Sequence, residues 1–474
     1  MLFSSLNFLL IFLPLLMICY YAIPQKFVAA RRYVLMIFSF IFYACGEPIY
    51  FFAIVFCVFI TWALSGGIAQ KKKLHFLAAL FTNLIPLVIF KYLNFIIINL
   101  NLIPFINIPP VNLTMPIGIS FYTFQMLTYI IDLYRGEVKQ QKNFGYLALY
   151  IFLFPQLIAG PIVRYQDIEQ DIGRCKENWD SIKLGAARFI KGLAKKMLLA
   201  NQVCYICDTI TANDLSTIST PMMWLAVFAY AIQVYFDFSG YSDMAIGLGK
   251  MFGFDFLENF NLPHASLSIS EFWRRWHISM GSFFRDYIYI PLGGSRVSKS
   301  RWILNTLVVW GVTGLWHGAA WNYIVWGLYY AGLLMLEKFF VGDLLKKIPK
   351  FFRWCYTVFF NMIGFSFFMN DSNSLSDMFS FTLRLFGVGE VTNALTVRSL
   401  ELEAYIPYMA IAIIFALPTR RLIRKATDAL SNIKAKAFAI PYNVFGDFVY
   451  VSALVCCIAF VIGGSYNPFL YFRF

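Results

Sequence analysis

The chain alternates long apolar runs with short polar or basic loops. A transmembrane helix needs roughly 20 mainly apolar residues, because the hydrocarbon core of a bilayer is about 30 Å thick. Apolar runs of 13 to 35 residues recur along the chain without a long polar linker. The pattern predicts an all-α polytopic integral membrane protein, a single domain over residues 1–474 with about eleven transmembrane helices. The runs cover residues 8–23, 33–45, 48–65, 76–98, 115–134, 221–235, 302–336, 354–369, 404–417 and 444–463.

Two apolar runs do not fit one straight span. Residues 302–336 contain no Asp, Glu, Lys or Arg, and one helix of that length would be about 52 Å long. We expect this run to break at its glycine-rich centre, where Gly311, Gly314 and Gly318 would also permit close helix approach. Residues 144–160 are short and end in prolines and glycine, which predicts a re-entrant or broken helix covered by protein.

A further segment, residues 188–198, has an amphipathic pattern. Its apolar positions 190, 193, 194, 197 and 198 follow helical spacing, and its basic residues lie off that face: Arg188, Lys191, Lys195 and Lys196. This pattern predicts a helix in the cytosolic membrane interface.

Composition supports lipid as the solvent of the chain. Hydrophobic residues make up 60% and charged residues 14%, whereas soluble domains average about 45–50% and about 25%. The net charge of +14 comes from basic residues in short loops between apolar runs. That distribution indicates anionic lipid headgroups as partners and not nucleic acid. Cys204 and Cys207 form one CxxC without a second, and no metal site is predicted.

The basic loops also predict the orientation of the chain. The first run has no basic residue before Lys26 and no cleavage motif, so we expect a retained first helix. Lys26, Arg31 and Arg32 follow it, which places the end of this helix in the cytosol. By the same rule Lys71–Lys73 and residues 420–425 are cytosolic, and the loop 101–112 is outside.

Two of the four histidines lie where chemistry is plausible. His317 lies within the long uncharged run beside Trp316 and Asn322, and an ionisable group there is a functional hypothesis. The alternative is a neutral histidine bonded between helices. His277 lies in a segment too charged to span, where Trp273, His277, Met280 and Phe284 would share one helical face. Such a helix fits the wall of a polar cavity or a plain interfacial anchor.

Asp237 and Ser239, at the end of an apolar run, are further candidate residues. A carboxylate in that setting needs a partner or a cavity. Asp237 could orient a catalytic imidazole, or it could hold a nearby arginine.

Several segments together resemble the membrane-bound O-acyltransferase family, in its bacterial alginate O-acetyltransferase branch. They cover most of residues 1–330 and the end of the chain, and residues 340–436 add little. The matching motifs are Met-Pro-Ile-Gly-Ile-Ser-Phe-Tyr-Thr-Phe-Gln from Met115, Phe-Pro-Gln-Leu-Ile-Ala-Gly-Pro-Ile-Val-Arg from Phe154, Tyr-Phe-Asp-Phe-Ser-Gly-Tyr-Ser-Asp-Met from Tyr235, Phe-Trp-Arg-Arg-Trp-His from Phe272, Gly-Leu-Trp-His-Gly from Gly314 and Asn-Pro-Phe-Leu-Tyr-Phe-Arg-Phe from Asn467.

The resemblance implies a multi-pass protein of the bacterial cell membrane with a catalytic histidine in a central tunnel. It implies a cytosolic thioester, acyl-CoA such as acetyl-CoA or an acyl carrier, as a donor substrate and no tightly bound cofactor. The acceptor would be a polysaccharide outside, or a secreted acetylation protein resembling SGNH hydrolases. His317 matches the family histidine and His277 a second one. Expected substrate-binding residues are Asp237, Ser239, Trp276, Trp316, Asn322 and, for donor phosphates, Arg164.

This chemistry suits the residue types. Acyl transfer from a thioester to a hydroxyl needs a base, and imidazole titrates near neutral pH, so His317 fits that role. His277 could position the acceptor or polarise the acyl carbonyl.

Two alternatives differ in substrate or in class. A related branch transfers D-alanine to teichoic acids, and alginate, cellulose and cell-wall glycans are all open as acceptors. A proton-coupled transporter could use His317 as a relay, but such proteins usually carry several acidic residues in their spans, and here almost none occurs.

Cysteine labelling in intact cells tests the orientation. In a background without the nine native cysteines, Lys72→Cys should react with a membrane-impermeant maleimide only after permeabilisation, because positive loops stay in the cytosol. Asn107→Cys, in the loop predicted outside, should react at once. The reverse result would invert the topology.

Overall fold

The computed structural model describes residues 1–158, 160–369, 374–419, 439–463 and 469, with backbone only for 439–446. All regular elements in these ranges are helices, as the apolar pattern predicts. The basic cluster at residues 420–425 and the terminal motif apart from Phe469 lie outside the described residues. The chain forms two compact units, and each is described by itself.

The first unit comprises Met1–Phe189 and Tyr241–Glu258. The long helix Trp179–Ala194 begins in this unit, and the helix Thr220–Met251 ends in it. The other helices are Leu13–Tyr21, Val28–Ala44, Pro48–Ala69, Lys73–Leu87, Leu93–Leu100, Ile119–Arg135, Phe144–Phe152, Phe154–Leu157 and Tyr165–Ile172, with π-helical turns at Asn7–Phe12 and Val88–Tyr92.

The second unit comprises Ile190–Gly240 and the described chain from Asn259 onward, apart from its last residues. Three π-helical turns interrupt its helices, at Lys195–Ala200, Arg285–Tyr289 and Glu337–Val341. Its α-helices are Asn201–Thr211, Ile269–Arg275, Ile278–Phe284, Lys299–His317, Trp321–Leu336, Gly342–Lys347, Lys350–Met369, Leu375–Arg384, Ile406–Ala416 and Ala439–Ile462, besides its part of Thr220–Met251.

Four described helical segments are long and apolar enough to cross a membrane. They are Pro48–Ala69, Lys73–Leu100, Thr220–Met251 and Trp321–Lys347, and shorter apolar helices lie at Asn7–Tyr21, Leu402–Ala416 and Asp447–Ile462. The predicted total of about eleven spans goes beyond these four and stays a prediction.

The long uncharged run breaks at its centre, as predicted. The helix Lys299–His317 ends at His317, Gly318 is extended, and the next helix begins at Trp321. The two helices pack closely at Gly314, since a Cβ at this position would collide with the carbonyl oxygen of Tyr323. Gly311 was expected to serve the same purpose, but a Cβ there would meet nothing within 4 Å.

The run at residues 144–160 is also broken. The helix Phe144–Phe152 stops at Leu153, where the backbone leaves the helical region, and Phe154–Leu157 adds a single turn. Residues 147–157 are all buried, so protein covers the irregular backbone, as interior membrane segments require. Whether this segment is re-entrant stays a prediction.

Arg31 and Arg32 are not in a basic loop, which corrects the sequence-based view of them. Both lie near the start of the helix Val28–Ala44 and are buried. Arg32 donates to the carbonyl oxygens of Asp171 and Phe252, each at 2.9 Å. Arg31 forms an ion pair with Glu177. These arginines therefore tie distant parts of the first unit together.

Glycine replacements test the packing of the broken run. Gly314→Ala should lower the thermal unfolding midpoint in detergent, because its methyl group would push apart Lys299–His317 and Trp321–Leu336. Gly311→Ala is the matched control on the same helix and should leave the midpoint unchanged or raise it, since alanine is favoured in helices by about 0.5–1 kcal/mol. Equal midpoints for both variants would show that the close approach at Gly314 does not matter.

Candidate active site

His277 lies at a break between two short helices of the second unit. Ile269–Arg275 begins with Ser268, whose hydroxyl accepts a hydrogen bond from the Glu271 amide at 3.0 Å. The helix ends at Arg275, and His277 has φ 46° and ψ 54° before Ile278–Phe284 begins. The expected single helical face through Trp273 and His277 is therefore wrong. A left-handed residue other than glycine is uncommon and often marks a functional site.

The start of this segment is held by a carboxylate from another helix. Glu337 follows Trp321–Leu336 and accepts hydrogen bonds from the Ser270 amide at 2.9 Å and the Ser270 hydroxyl at 2.7 Å. It also accepts from the Ile269 amide at 2.5 Å. A negative charge at a helix start satisfies amides that have no partner within the helix. The helix that leads to His277 is thereby fixed to the helix that follows His317.

The His277 side chain is fully buried among polar and aromatic groups. Its Nδ1 lies 3.2 Å from Oδ1 of Asn259. The imidazole ring meets the ring of Phe238 edge-on at 4.6 Å between centroids, and the ring of Trp316 at 6.0 Å. His277 lies outside the four spanning helices, and burial lowers its pKa to about 3. The ring is therefore neutral near pH 7.

His317 is the last residue of its helix and is enclosed by aromatic rings. It is buried, and its ring centroid lies 4.8 Å from Trp316, 4.9 Å from Trp326 and 5.1 Å from Phe368. The Trp316 ring thus contacts both imidazoles, although His277 and His317 belong to two separate helix breaks. The structure brings His277, His317 and Trp316 together, as a shared active site requires.

A cavity of about 940 Å³ opens beside this cluster. Trp276 and His277 line it, as does Thr313, one turn before His317. Its volume falls in the range of small-molecule sites, about 300–1,000 Å³. Trp273 also lines the cavity and contacts Trp326 at 5.5 Å, so aromatic side chains continue from the cavity to His317.

Basic side chains outnumber acidic ones around this cavity. The acidic residues are Glu271, Glu337 and Asp343, and the basic ones are Arg274, Arg285, Lys338, Lys346 and Arg353. Some of the basic residues have acidic neighbours: Arg285 bonds Asp286, and Lys346 bonds Asp343. Arg274 is exposed at the cavity. The positive excess suits a ligand that carries phosphate groups.

Asp237 and Ser239 bind lysines. Asp237 and Lys196 are each at most 3% exposed, and their charged atoms lie 2.6 Å apart. Lys195 donates to the Ser239 hydroxyl at 3.1 Å. Asp237 therefore pairs with a lysine, whereas the sequence suggested an imidazole or an arginine as its partner. Lys196, predicted to lie off the apolar face of an interfacial helix, is buried. The predicted roles of Asp237 and Ser239 in substrate binding stay predictions.

The other predicted substrate-binding residues occupy different places. Trp276 is buried, lines the cavity and stacks on Phe272 at 5.4 Å. Asn322 is buried in the first turn of the helix after His317. Arg164 belongs to the first unit, where its backbone amide donates to Asp167 at 3.1 Å. Sequence patterns did not indicate Asn259, Glu337 or the pairing of Lys196, because their partners are distant in the chain.

The chain is similar to known acyltransferases over much of its length. The family model of the membrane-bound O-acyltransferases matches residues 134–375. A probable alginate O-acetylase of Azotobacter vinelandii is 36% identical over 100% of both chains. A peptidoglycan O-acetyltransferase of Helicobacter pylori is 32% identical over 78% of this chain and 77% of its own length. A teichoic acid D-alanyltransferase of Bacillus subtilis is 30% identical over 64% of this chain and 78% of its own.

The buried ion pair predicts a strong effect on stability. Asp237→Ala should destabilise the protein by about 3–5 kcal/mol, because it leaves the Lys196 ammonium buried without its counter-charge. Replacing both residues, Asp237→Leu with Lys196→Met, should recover most of the loss. Asp255→Ala is the control, since it breaks a pair that is largely exposed and should cost about 0–1 kcal/mol. Denaturant unfolding in detergent measures these differences, and equal losses for Asp237→Ala and Asp255→Ala would contradict the prediction.

Proposed function

Because the chain belongs to the membrane-bound O-acyltransferase family, we propose that this acyltransferase moves an acetyl group from a cytosolic thioester to hydroxyl groups of an exported polysaccharide, directly or through an extracytoplasmic protein. The observation that carries the proposal is the pair of buried histidines, His277 and His317, which share Trp316 beside a cavity with a positive lining.

The relatives support an acetyl group and a glycan acceptor. The probable alginate O-acetylase aligns with the whole chain, and the peptidoglycan O-acetyltransferase with 78% of it. Transfer of D-alanine to teichoic acid is the second candidate, because the D-alanyltransferase is also similar over 64% of the chain. Acetyl transfer is favoured since the relatives with the larger coverage are named for that reaction.

The reaction needs one proton to move from the acceptor to the leaving group. The acceptor hydroxyl oxygen attacks the thioester carbonyl carbon while His317 takes the hydroxyl proton. The carbon–oxygen bond forms, the carbon–sulfur bond breaks, and the thiolate receives the proton from His317. The aromatic rings around His317 exclude water, which would otherwise hydrolyse the thioester. His277 either positions the acceptor hydroxyl or polarises the thioester carbonyl.

The cavity is proposed as the donor site. It has a volume of about 940 Å³ and is lined by His277, which suits the pantetheine arm that coenzyme A and acyl carrier proteins share. Arg274, Lys338 and Arg353 would then contact the phosphate groups of the donor, as charge-assisted hydrogen bonds are the strong ones. The binding of donor phosphates by Arg164, in the first unit, stays a prediction.

The proposed setting is a multi-pass protein of the bacterial cell membrane. The donor would enter from the cytosol, and the acceptor, a polysaccharide or an acetylation protein resembling SGNH hydrolases, would arrive from outside. Anionic lipid would surround the positively charged loops.

Histidine variants test the catalytic assignment. His317→Ala should lower acyl transfer by at least about 10²–10⁴-fold, which is the usual contribution of a general base, while insertion and yield stay normal. His277→Ala should lower transfer less, if its role is positioning. His75→Ala, in the first unit, is the control and should keep full activity. A well-folded His317→Ala protein with near-normal activity would show that His317 is a structural histidine of the core and not the general base.

The donor and the group transferred can be tested with purified protein in vesicles. Acetyl-CoA labelled in the acetyl group is enclosed on the cytosolic side, and alkali-labile label on an added glycan is measured. Transfer of label supports the proposal. If the chain instead forms D-alanyl esters on teichoic acid from a charged carrier protein and transfers no acetyl group, the second candidate is correct.

A further inference from the structure

Asn259 connects the two sides of the chain break at His277. Its side chain is fully buried. Its backbone carbonyl accepts a hydrogen bond from the Ile278 amide at 3.0 Å, and two residues later the Asn261 amide donates to the Arg275 carbonyl at 2.9 Å. The segment after Glu258 therefore runs beside the break and holds the left-handed backbone of His277 in place.

The amide oxygen of Asn259 can be assigned from its neighbours. Oδ1 accepts from the backbone amide of Ser279 at 3.2 Å and from the Ser279 hydroxyl at 2.9 Å. A backbone N–H can only donate, so the atom facing it must be the oxygen and not the nitrogen of the side-chain amide. The orientation of Asn259 is thus fixed independently of His277.

That orientation determines which ring nitrogen of His277 carries the proton. Oδ1 of Asn259 is an acceptor only, and Nδ1 of His277 lies 3.2 Å from it. Nδ1 must therefore be the donor, and in the neutral ring the lone pair is on Nε2. Because burial keeps His277 neutral near pH 7, the imidazole has one acceptor nitrogen and no second donor.

We propose that Asn259 is a positioning residue that holds His277 as its Nδ1–H tautomer, so that Nε2 accepts a hydrogen bond from the acceptor hydroxyl during acyl transfer. This inference rests on the proposed function and decides between the two roles given there for His277. A nitrogen without a proton cannot donate to the thioester carbonyl, so His277 aligns the hydroxyl and does not polarise the carbonyl.

Nitrogen NMR reads the tautomer without any need for activity. In protein labelled with ¹⁵N at its four histidines, the His277→Gln spectrum identifies the His277 signals by difference. The unmodified protein should show a protonated Nδ1 and an unprotonated Nε2, and Asn259→Ala should move population towards the Nε2–H form. A protonated Nε2 in the unmodified protein would overturn the inference, whether or not the proposed function is correct.

Kinetics of Asn259 variants provide the second measurement. Asn259→Ala should lower kcat by about 10-fold or more, the scale on which groups that orient a histidine act, and change the donor KM less than about twofold, since the donor cavity is not altered. Asn259→Asp keeps an acceptor oxygen and should recover part of the loss. Recovery by aspartate distinguishes orientation of the ring from a general loss of packing.

Asn305→Ala is the matched control for removal of a buried asparagine. Asn305 is nearly as buried as Asn259, and among the described residues its side chain donates to the carbonyl oxygens of Leu292 and Gly294. This variant should keep kcat. If Asn259→Ala folds and keeps kcat while His317→Ala is inactive, the positioning role is wrong and the proposed function stands. If Asn259→Ala does not fold, the tautomer of His277 and kcat are measured in Asn259→Asp instead. A variant that loses the Nδ1–H form of His277 and keeps kcat would also reject the positioning role.

Discussion

Every polar group inside a protein embedded in lipid needs a partner from the protein itself, because water is not at hand to replace it. Three contacts in the described part of the second unit show how this requirement is met. Lys196 meets Asp237, Glu337 meets the amides at the start of Ile269–Arg275, and Asn259 meets His277. Each contact fixes a segment that carries candidate chemistry. The contacts that satisfy buried polar groups are therefore the same contacts that position the candidate active-site segments.

Both candidate catalytic histidines lie where a helix stops. His317 ends its helix, and His277 stands between two helices in a left-handed conformation. A side chain in the middle of a helix is limited to the directions that the helix allows. At a break the backbone can turn, so two imidazoles from distant segments approach the same tryptophan. Hydrogen bonds to acceptors on other segments stabilise this irregular backbone: Asn259 accepts from the Ile278 amide, and Glu337 accepts from the Ser270 amide.

The sequence was sufficient for the local features of this fold and insufficient for its long-range pairs. The length of the uncharged run, compared with the thickness of a bilayer, was enough to predict the break near His317. The helical spacing around His277 predicted one continuous helix, because spacing does not register a turn enforced by Asn259, 18 residues earlier. For the same reason the sequence placed Arg31 in a basic loop and Lys196 off the apolar face of an interfacial helix, although both have buried acidic partners far away in the chain.

The carboxylate of Glu337 has a consequence for which insertions this protein can accept. The helix Trp321–Leu336 starts just after His317 and ends next to Glu337, so its 16 residues act as a spacer of about 24 Å between the two histidine-bearing segments. Adding or removing one residue would rotate Glu337 by about 100° around the helix axis and detach it from the amides it holds. The length of this one helix is therefore constrained by the hydrogen bonds that Glu337 accepts at its end.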